Sequence, residues 1–209
     1  MKNILNMPAE VLALDVNDTL IMRGVDAGLV PVTNCLPDAL AEAQHTMKLF
    51  LASNHTHAAA VQFLDQAGIP THLFTAPSTS HDSLPSHIFR AVFSSHPDAI
   101  DSDAYGKVIG MYHMLATLGI TEEHILEAIS GKRRFEHVVS FGDSHTDRLA
   151  ADVFGFRHGN VTQLGEGHTL SSVVRGIHHA NSKYEGPKWL AAGRPIQSTI
   201  SGPSKMARA

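Results

Sequence analysis

The sequence predicts an α/β fold: an open parallel sheet with helices on both faces, forming the three layers of a Rossmann-like domain. Short apolar runs alternate along the chain with stretches of helical periodicity, which is the pattern of β-α-β units. Some of these apolar runs end directly in polar residues, as expected of buried strands that stop at one edge of a sheet. The 209 residues are 43% hydrophobic and 17% charged, which is typical of a globular domain.

The first half of the chain alternates between strand and helix. A strand is expected at 10–15, where an apolar run ends in a carboxylate, and another at 48–53. Between them, apolar residues step by four, three and four from Leu36, which is the spacing of one helix face. The helix after the second strand is expected to end at Gly68, and 71–75 to form a third strand.

The second half continues the same alternation. Its predicted elements are helices at 84–94, at 108–118 and from Thr121, a strand at 137–142, a helix at 148–153, a strand at 156–161 and a helix at 170–180. Gly119 stops the helix at 108–118, since glycine readily adopts the backbone conformation that ends helices. Thr121 is a good helix cap, because two acidic residues follow it in the first turn.

The chain is predicted to consist of a core domain, 1–180, and a polar tail, 181–209. The tail carries five basic residues and one acidic residue, whereas the whole chain has a net charge of −4. It is expected to be a solvated extension or an arm, anchored by Trp189 and Leu190, that docks on another subunit or partner. Residues 76–106 could at most form a small lid, so the site is expected to be open. An open site suits a large substrate or closure by a second copy, which makes a homo-oligomer a hypothesis.

Composition excludes several classes of function. The negative net charge gives no indication of a nucleic-acid or anionic-membrane partner. Pro8 and Glu10 interrupt the first apolar run before an export signal could form, and no segment approaches the ~18 apolar residues of a membrane span. Cys35 is the single cysteine and cannot form an internal disulfide, so a reducing, cytoplasmic location is expected.

Polar side chains follow three of the predicted strands. Asp15 ends the first strand, Ser53 and Asn54 end the second, and Asp143 follows the strand at 137–142 with Asp147 one helical turn later. Each group alone is also explained by a turn or a helix cap. Together they lie where open α/β sheets bind ligands, at the carboxyl ends of strands. A hydroxyl and a helix N-terminus bind anionic oxygens, so Ser53 and Asn54 are candidate substrate-binding residues.

The three aspartates point to a cation. Asp143 and Asp147 can face the same place, beside Asp15. Carboxylates that lie so near one another repel each other. A hard divalent ion bound by oxygen ligands relieves this repulsion, so a divalent cation is expected here.

Four motifs carry a family resemblance. They are Asp-x-Asn-Asp-Thr-Leu from Asp15, Ser53-Asn54 after a strand, Gly-Lys at Lys107 before a helix, and Gly-Asp-Ser-x-x-Asp from Gly142. In this order, over roughly residues 10–180, the chain resembles the haloacid dehalogenase-like hydrolases. The resemblance implies a Mg²⁺-dependent phosphohydrolase or phosphotransferase that acts on a phosphorylated substrate.

The resemblance also implies roles for these residues. Asp15 would attack phosphorus and form an aspartyl-phosphate that water hydrolyses. Ser53 would hydrogen-bond the transferring phosphoryl group, and Lys107 would neutralise charge between it and Asp15. Lys132 is the rival to Lys107, although it stands close to the strand at 137–142. A surface lysine at a helix start is the other interpretation of Lys107.

The implied metal ligands are the Asp15 carboxylate, the backbone carbonyl of Asn17 and Asp143, with Asp147 in direct or supporting contact. Asn17 is the main departure from the family pattern, since the related phosphatases usually carry an acid/base aspartate there. An amide cannot transfer a proton at neutral pH. Asp18 and His145 are weaker candidates for this acid/base role.

Three consequences of Asn17 stay open. The enzyme could act on a good leaving group such as an acyl phosphate, it could be slow, or the chain could be a catalytically weak phosphate-binding or regulatory protein. A dehalogenase, which uses no metal, is less favoured because Asp143 and Asp147 argue for a cation.

Overall fold

A four-stranded parallel sheet flanked by helices forms the centre of the protein. The computed structural model describes residues 8–75 and 83–184. In chain order the helices and strands of these residues are β1 (Val11–Leu14), β2 (Ile21–Arg23), β3 (Leu29–Pro31), α1 (Leu36–Ala43), β4 (Lys48–Leu51), α2 (His57–Gln66), α3 (Ser86–Ser95), α4 (Pro97–Ile100), α5 (Ala104–Thr117), α6 (Glu122–Ile129), β5 (Phe135–Gly142), α7 (His145–Val153), β6 (Phe156–Asn160) and α8 (Leu170–Lys183).

The strand order of the sheet is β4-β1-β5-β6, with every pair parallel. Leu14 is in register with Leu51 of β4 and with Phe141 of β5, so these three strands end side by side. The arrangement is an α/β fold consistent with a Rossmann-like domain. The predicted fold class is confirmed at this level.

Two clusters of buried apolar side chains hold the helices to the sheet. All four residues of β1 are fully buried, and they alternate between the clusters, as side chains of a strand do. Val11 and Ala13 join the cluster that includes residues of α3 to α7. Leu12 and Leu14 join the cluster that includes residues of α1, α2 and α8.

The helices predicted from periodicity are all present with shifted bounds. Gly119 has a φ of +77°, which a glycine adopts without strain, and it follows the end of α5. The Thr121 hydroxyl accepts the His124 N–H and caps α6, as predicted. Helix α8 continues to Lys183, beyond the expected boundary at 180. Within its last turn, the Asn181 amide exchanges two hydrogen bonds with the backbone of Ala9, just before β1.

The strand predicted at 71–75 is wrong. Residues Thr71–Leu73 form a 3₁₀ turn in which the Leu73 and Phe74 N–H groups bond to carbonyls of the same turn. Those donors are therefore turned away from the neighbouring strand. Thr75 alone extends the pairing, by donating its N–H to Leu49 of β4 at 2.7 Å.

The sequence prediction missed the hairpin formed by β2 and β3, which pair antiparallel directly after the first motif. Met22 and Val30 lie opposite each other in this hairpin and are 43% and 38% exposed.

The segment suggested as a lid is described only in part. Ile88 and Val92 of α3 and Ala99 of α4 are buried in one of the two core clusters. Residues 76–82 lie outside the described residues, as does the tail from 185 onward, so the lid and the docking arm stay predictions. Among the helices of the described ranges, none has the length and apolar character needed to cross a membrane.

Candidate active site

The candidate site lies where β1 and β5 end. Asp15 follows β1, and its N–H donates to the Phe141 carbonyl of β5 at 2.9 Å. This bond continues the parallel register and places Asp15 level with Gly142. Asp143 is the next residue along that strand, so the sheet itself brings the first and last motifs together. The Ala52 N–H continues β4 in the same way by donating to Leu14 at 2.8 Å, which sets Ser53 at the same edge.

Three carboxylates converge at this edge, as the sequence predicted. Oxygens of Asp15, Asp143 and Asp147 all lie within 4.8 Å of one another. Asp15 is 5% exposed and Asp147 is 1% exposed, whereas Asp143 is half-buried. Water therefore screens their mutual repulsion poorly, and a cation among them would be strongly stabilised.

Lys107 supplies one positive charge to the cluster. It extends from the first turn of α5, is 6% exposed, and places its ammonium 3.2 Å from Asp15 Oδ1 and in contact with Asp147 Oδ1. Burial acts to lower the pKa of Lys107, but the attraction of the two aspartates outweighs it and raises the pKa overall, so the side chain is charged. The rival Lys132 is exposed, at the turn that leads into β5.

One ammonium does not balance three carboxylates. Burial, reinforced by the charge of Asp147, raises the pKa of Asp15 to about 7 even though Lys107 opposes the shift. Burial also raises the pKa of Asp143. The cluster thus favours extra positive charge, as a proton on Asp15 near neutral pH or as a bound cation.

A capping box fixes the third carboxylate. Asp147 Oδ2 accepts hydrogen bonds from the Ser144 backbone N–H at 3.0 Å and from its hydroxyl at 2.6 Å, while the Asp147 N–H donates to the Ser144 hydroxyl. Both Asp147 oxygens are therefore engaged, one by Ser144 and the other by Lys107. The carboxylate lies so close to Gly142 that a Cβ at position 142 would overlap it.

Gly142→Ala is therefore expected to destabilise the protein by about 1–3 kcal/mol, the usual range for overpacking a buried site. Asp147 must move, which weakens its contacts with both Lys107 and Ser144. Chemical denaturation measures the loss. Gly28→Ala is the control, because a Cβ there meets nothing within 4 Å, and its effect should stay within about 0.5 kcal/mol. Equal stability of both variants would contradict the expected clash.

The remaining residues of the first motif line the open side of the site. Asn17 is exposed, and its amide donates to His55 Nε2 at 2.8 Å. The two residues border a cavity of about 800 Å³ between the β2–β3 hairpin and α2, where Phe63 meets His55 edge to face. Asp18 and His145, the weaker substitutes for an acid, are exposed. Sequence reasoning missed His55, which gives no signal beyond its place two residues after Ser53.

The second motif makes two different contacts. The Ser53 hydroxyl accepts the His55 N–H at 3.2 Å, which leaves its proton free to donate elsewhere. The Asn54 amide donates instead to the Asp103 carbonyl, at the start of α5, at 2.6 Å. Asn54 is therefore engaged by the helix that carries Lys107.

Comparison with known proteins assigns no family: no family model matches the chain, and no curated protein matches it at a significant level.

Proposed function

We propose that this chain is a Mg²⁺-dependent phosphohydrolase or phosphotransferase that acts through an aspartyl-phosphate on Asp15, within a three-layer Rossmann-like domain. One observation supports this most directly. A buried carboxylate at a strand end has an ammonium 3.2 Å away and two further carboxylates within 4.8 Å. The two core clusters support the three-layer arrangement, because alternate residues of β1 belong to different clusters.

In the proposed reaction an oxygen of Asp15 forms a bond to phosphorus as the leaving oxygen departs with its electron pair. Water, or an acceptor hydroxyl in a transferase, then attacks the same phosphorus. The bond from phosphorus to Asp15 breaks with its electron pair on the carboxylate, and the attacking oxygen gives its proton to solvent. The Lys107 ammonium offsets negative charge on the phosphoryl oxygens and on Asp15. Ser53 donates its free hydroxyl proton to one of those oxygens.

The chemistry of the donors fits a hard divalent cation. When bound, Mg²⁺ would neutralise charge on the phosphoryl oxygens and orient them for in-line attack. Asp15, Asp143 and the backbone carbonyl of Asn17 are the proposed ligands. Asp147 is better suited to hold Lys107 and Ser144 in place, because protein donors already engage both of its oxygens.

Asn17 determines which substrates suit the site. Its amide can hydrogen-bond the leaving oxygen but cannot protonate it, and a missing general acid costs roughly 10²–10⁴-fold. We therefore expect substrates with good leaving groups, such as acyl phosphates, to react faster than alkyl phosphates. The same residue motivates the alternative, a catalytically weak phosphate-binding or regulatory protein. A dehalogenase is less favoured, since three converging carboxylates suit a cation and oppose an anionic leaving group.

Phosphate release from a broad panel of phosphoesters and from acetyl phosphate tests the proposal, with and without Mg²⁺. Asp15→Ala is the control for contaminating phosphatases. Release that requires both Mg²⁺ and Asp15 supports the enzyme. Asn17→Asp should then accelerate turnover of poor leaving groups more than that of acetyl phosphate. If the wild type releases no phosphate and Asn17→Asp does, the result would favour the phosphate-binding or regulatory protein instead.

Mg²⁺ is expected to stabilise the fold. An ion that binds only the native state contributes about 2.7 kcal/mol at one hundred times its Kd, or roughly 5–10 °C in Tm for a chain of this size. Thermal unfolding in EDTA and in excess Mg²⁺ measures the shift, and Asp143→Asn should remove most of it. A shift of the same size in Asp143→Asn would place the ion elsewhere.

Three expectations about partners and location stay predictions. They are a phosphorylated substrate without nucleic acid or membrane, a homo-oligomer, and a cytoplasmic location. Light scattering tests the second, because a particle of only 22.5 kDa would exclude self-association.

A further inference from the structure

We infer that Asn54 is a positioning residue for Lys107: it fastens the first turn of α5 to the loop that follows β4 and so holds the ammonium between Asp15 and Asp147. The inference rests on the proposed function, in which Lys107 acts on the phosphoryl group, and it gives Asn54 a role other than direct substrate binding. Its two supports are a hydrogen bond and a close approach.

The hydrogen bond joins two parts of the site. Asn54 Nδ2 donates to the Asp103 carbonyl at 2.6 Å, one helical turn before Lys107. Asp103 occupies the N-cap position of α5, yet among the described residues its side chain finds no capping hydrogen bond. The Ser102 hydroxyl accepts the Ala104 N–H at 3.2 Å instead, but Ser102 is adjacent to the helix in the chain, so this bond does not tie α5 to the sheet. The contact with Asn54 anchors this turn from outside the helix.

The close approach depends on Gly106, the residue before Lys107. A Cβ at position 106 would lie 2.6 Å from Asn54 Oδ1, closer than van der Waals contact allows. Glycine inside a helix is less favourable than alanine. Gly106 therefore lowers the helix propensity of α5, but it leaves the space that the Asn54 side chain occupies. Both Asn54 side-chain polar atoms therefore meet the first turn of α5.

This anchoring affects Lys107 more than other residues of α5. The lysine side chain is long and flexible, and its charged end must contact Asp15 and Asp147 at once. A small shift of the first turn moves its backbone relative to the sheet edge that carries both carboxylates. Displacements of about 1 Å can reduce catalysis on the order of a hundredfold.

The test uses Asn54→Ala, Gly106→Ala and the double variant. In the metal-free proteins, the reactivity of the Lys107 amine toward an acylating reagent is measured by mass spectrometry, with exposed Lys132 as the internal reference. Both single variants should increase Lys107 labelling several-fold, because alanine at 106 displaces the Asn54 amide. The double variant should label no more than either single variant, since both remove the same contact.

Turnover gives the second readout. With acetyl phosphate and Mg²⁺, each single variant should lose kcat on the order of tenfold while KM changes little, because Lys107 assists the transfer step. Asn54→Asp should behave like Asn54→Ala, since it keeps the shape but lacks the N–H donor. Thr121→Ala is the matched control, because it weakens the capping of α6 and should leave both Lys107 labelling and kcat unchanged.

Two results would overturn the inference: wild-type labelling of Lys107 in Asn54→Ala, or losses in the two single variants that simply add in the double variant. A rise in KM with kcat intact would assign Asn54 to substrate binding instead. Because the labelling needs no turnover, a wild type that releases no phosphate would contradict the proposed function and leave the positioning role separately testable.

Discussion

Lys107→Met is expected to destabilise the folded protein by about 3–5 kcal/mol at pH 8 in EDTA, the cost of removing one partner of a buried ion pair. Methionine fills the volume of the aliphatic stem but leaves Asp15 and Asp147 facing each other without the ammonium that contacts both. Urea denaturation measures the loss. Lys132→Met is the control, because that side chain is exposed and should change stability by less than about 0.5 kcal/mol.

The loss should depend on pH in a defined direction. In the wild type the pKa of Asp15 is about 7, and it rises further once Lys107 no longer opposes the shift. At pH 5 the variant can therefore relieve the repulsion by keeping Asp15 protonated, and the destabilisation should be smaller than at pH 8. A loss below about 1 kcal/mol at both pH values would show that the carboxylates are better solvated than their burial indicates.

Asp15→Asn is expected to abolish Mg²⁺-dependent phosphate release, by a factor on the order of 10⁴ or more, because an amide cannot form the acyl phosphate. The same change should leave the folded protein more stable above neutral pH. An acid whose pKa rises from 3.8 to about 7 on folding contributes stability below pH 4 that is lost progressively up to pH 7. The full difference corresponds to about 4 kcal/mol at most.

Asparagine at position 15 does not ionise, so it avoids this loss, although it pairs less strongly with Lys107. Denaturation in EDTA at pH 5 and pH 8 should show the advantage of the variant growing with pH. Asp65→Asn, a change at an exposed carboxylate on α2, should alter neither stability nor phosphate release. If Asp15→Asn were less stable than the wild type at pH 8, the ion pair with Lys107 would contribute more than the burial of Asp15 costs.

The residues of the candidate site were easier to predict from the sequence than the short elements and contacts around them. Asp15 and Asp143 were identifiable because each follows a run that is mostly apolar, and parallel strands end at a common edge. Lys107 required the family resemblance, since a lone lysine in a helix gives no signal of its burial. The metal, the nucleophile and the substrate class stay predictions that the experiments above test.

Short elements and tertiary contacts were less predictable. Residues 71–75 resemble a strand in composition, but backbone N–H groups of this segment bond within a 3₁₀ turn. Over five residues, hydrophobic periodicity cannot distinguish a strand from such a turn. Strands β2 and β3 have three residues each, too few for a clear alternation. The approach of Asn54 to Gly106 joins the loop after β4 to α5, so only the folded chain reveals it.

The strand order has a consequence for folding kinetics. β1, which leads to Asp15, is synthesised before the other described strands. Its partner β5, which leads to Asp143, follows only after β2, β3, β4 and the helices α1 to α6. A nascent chain that ends after β4 therefore holds Asp15 without Lys107 or Asp143. Closing the long loop between β1 and β5 is slow, and its entropy cost arises before the stabilising contacts between these strands can form. Mg²⁺ should accordingly slow unfolding more than it accelerates refolding, because the cluster that it stabilises forms late.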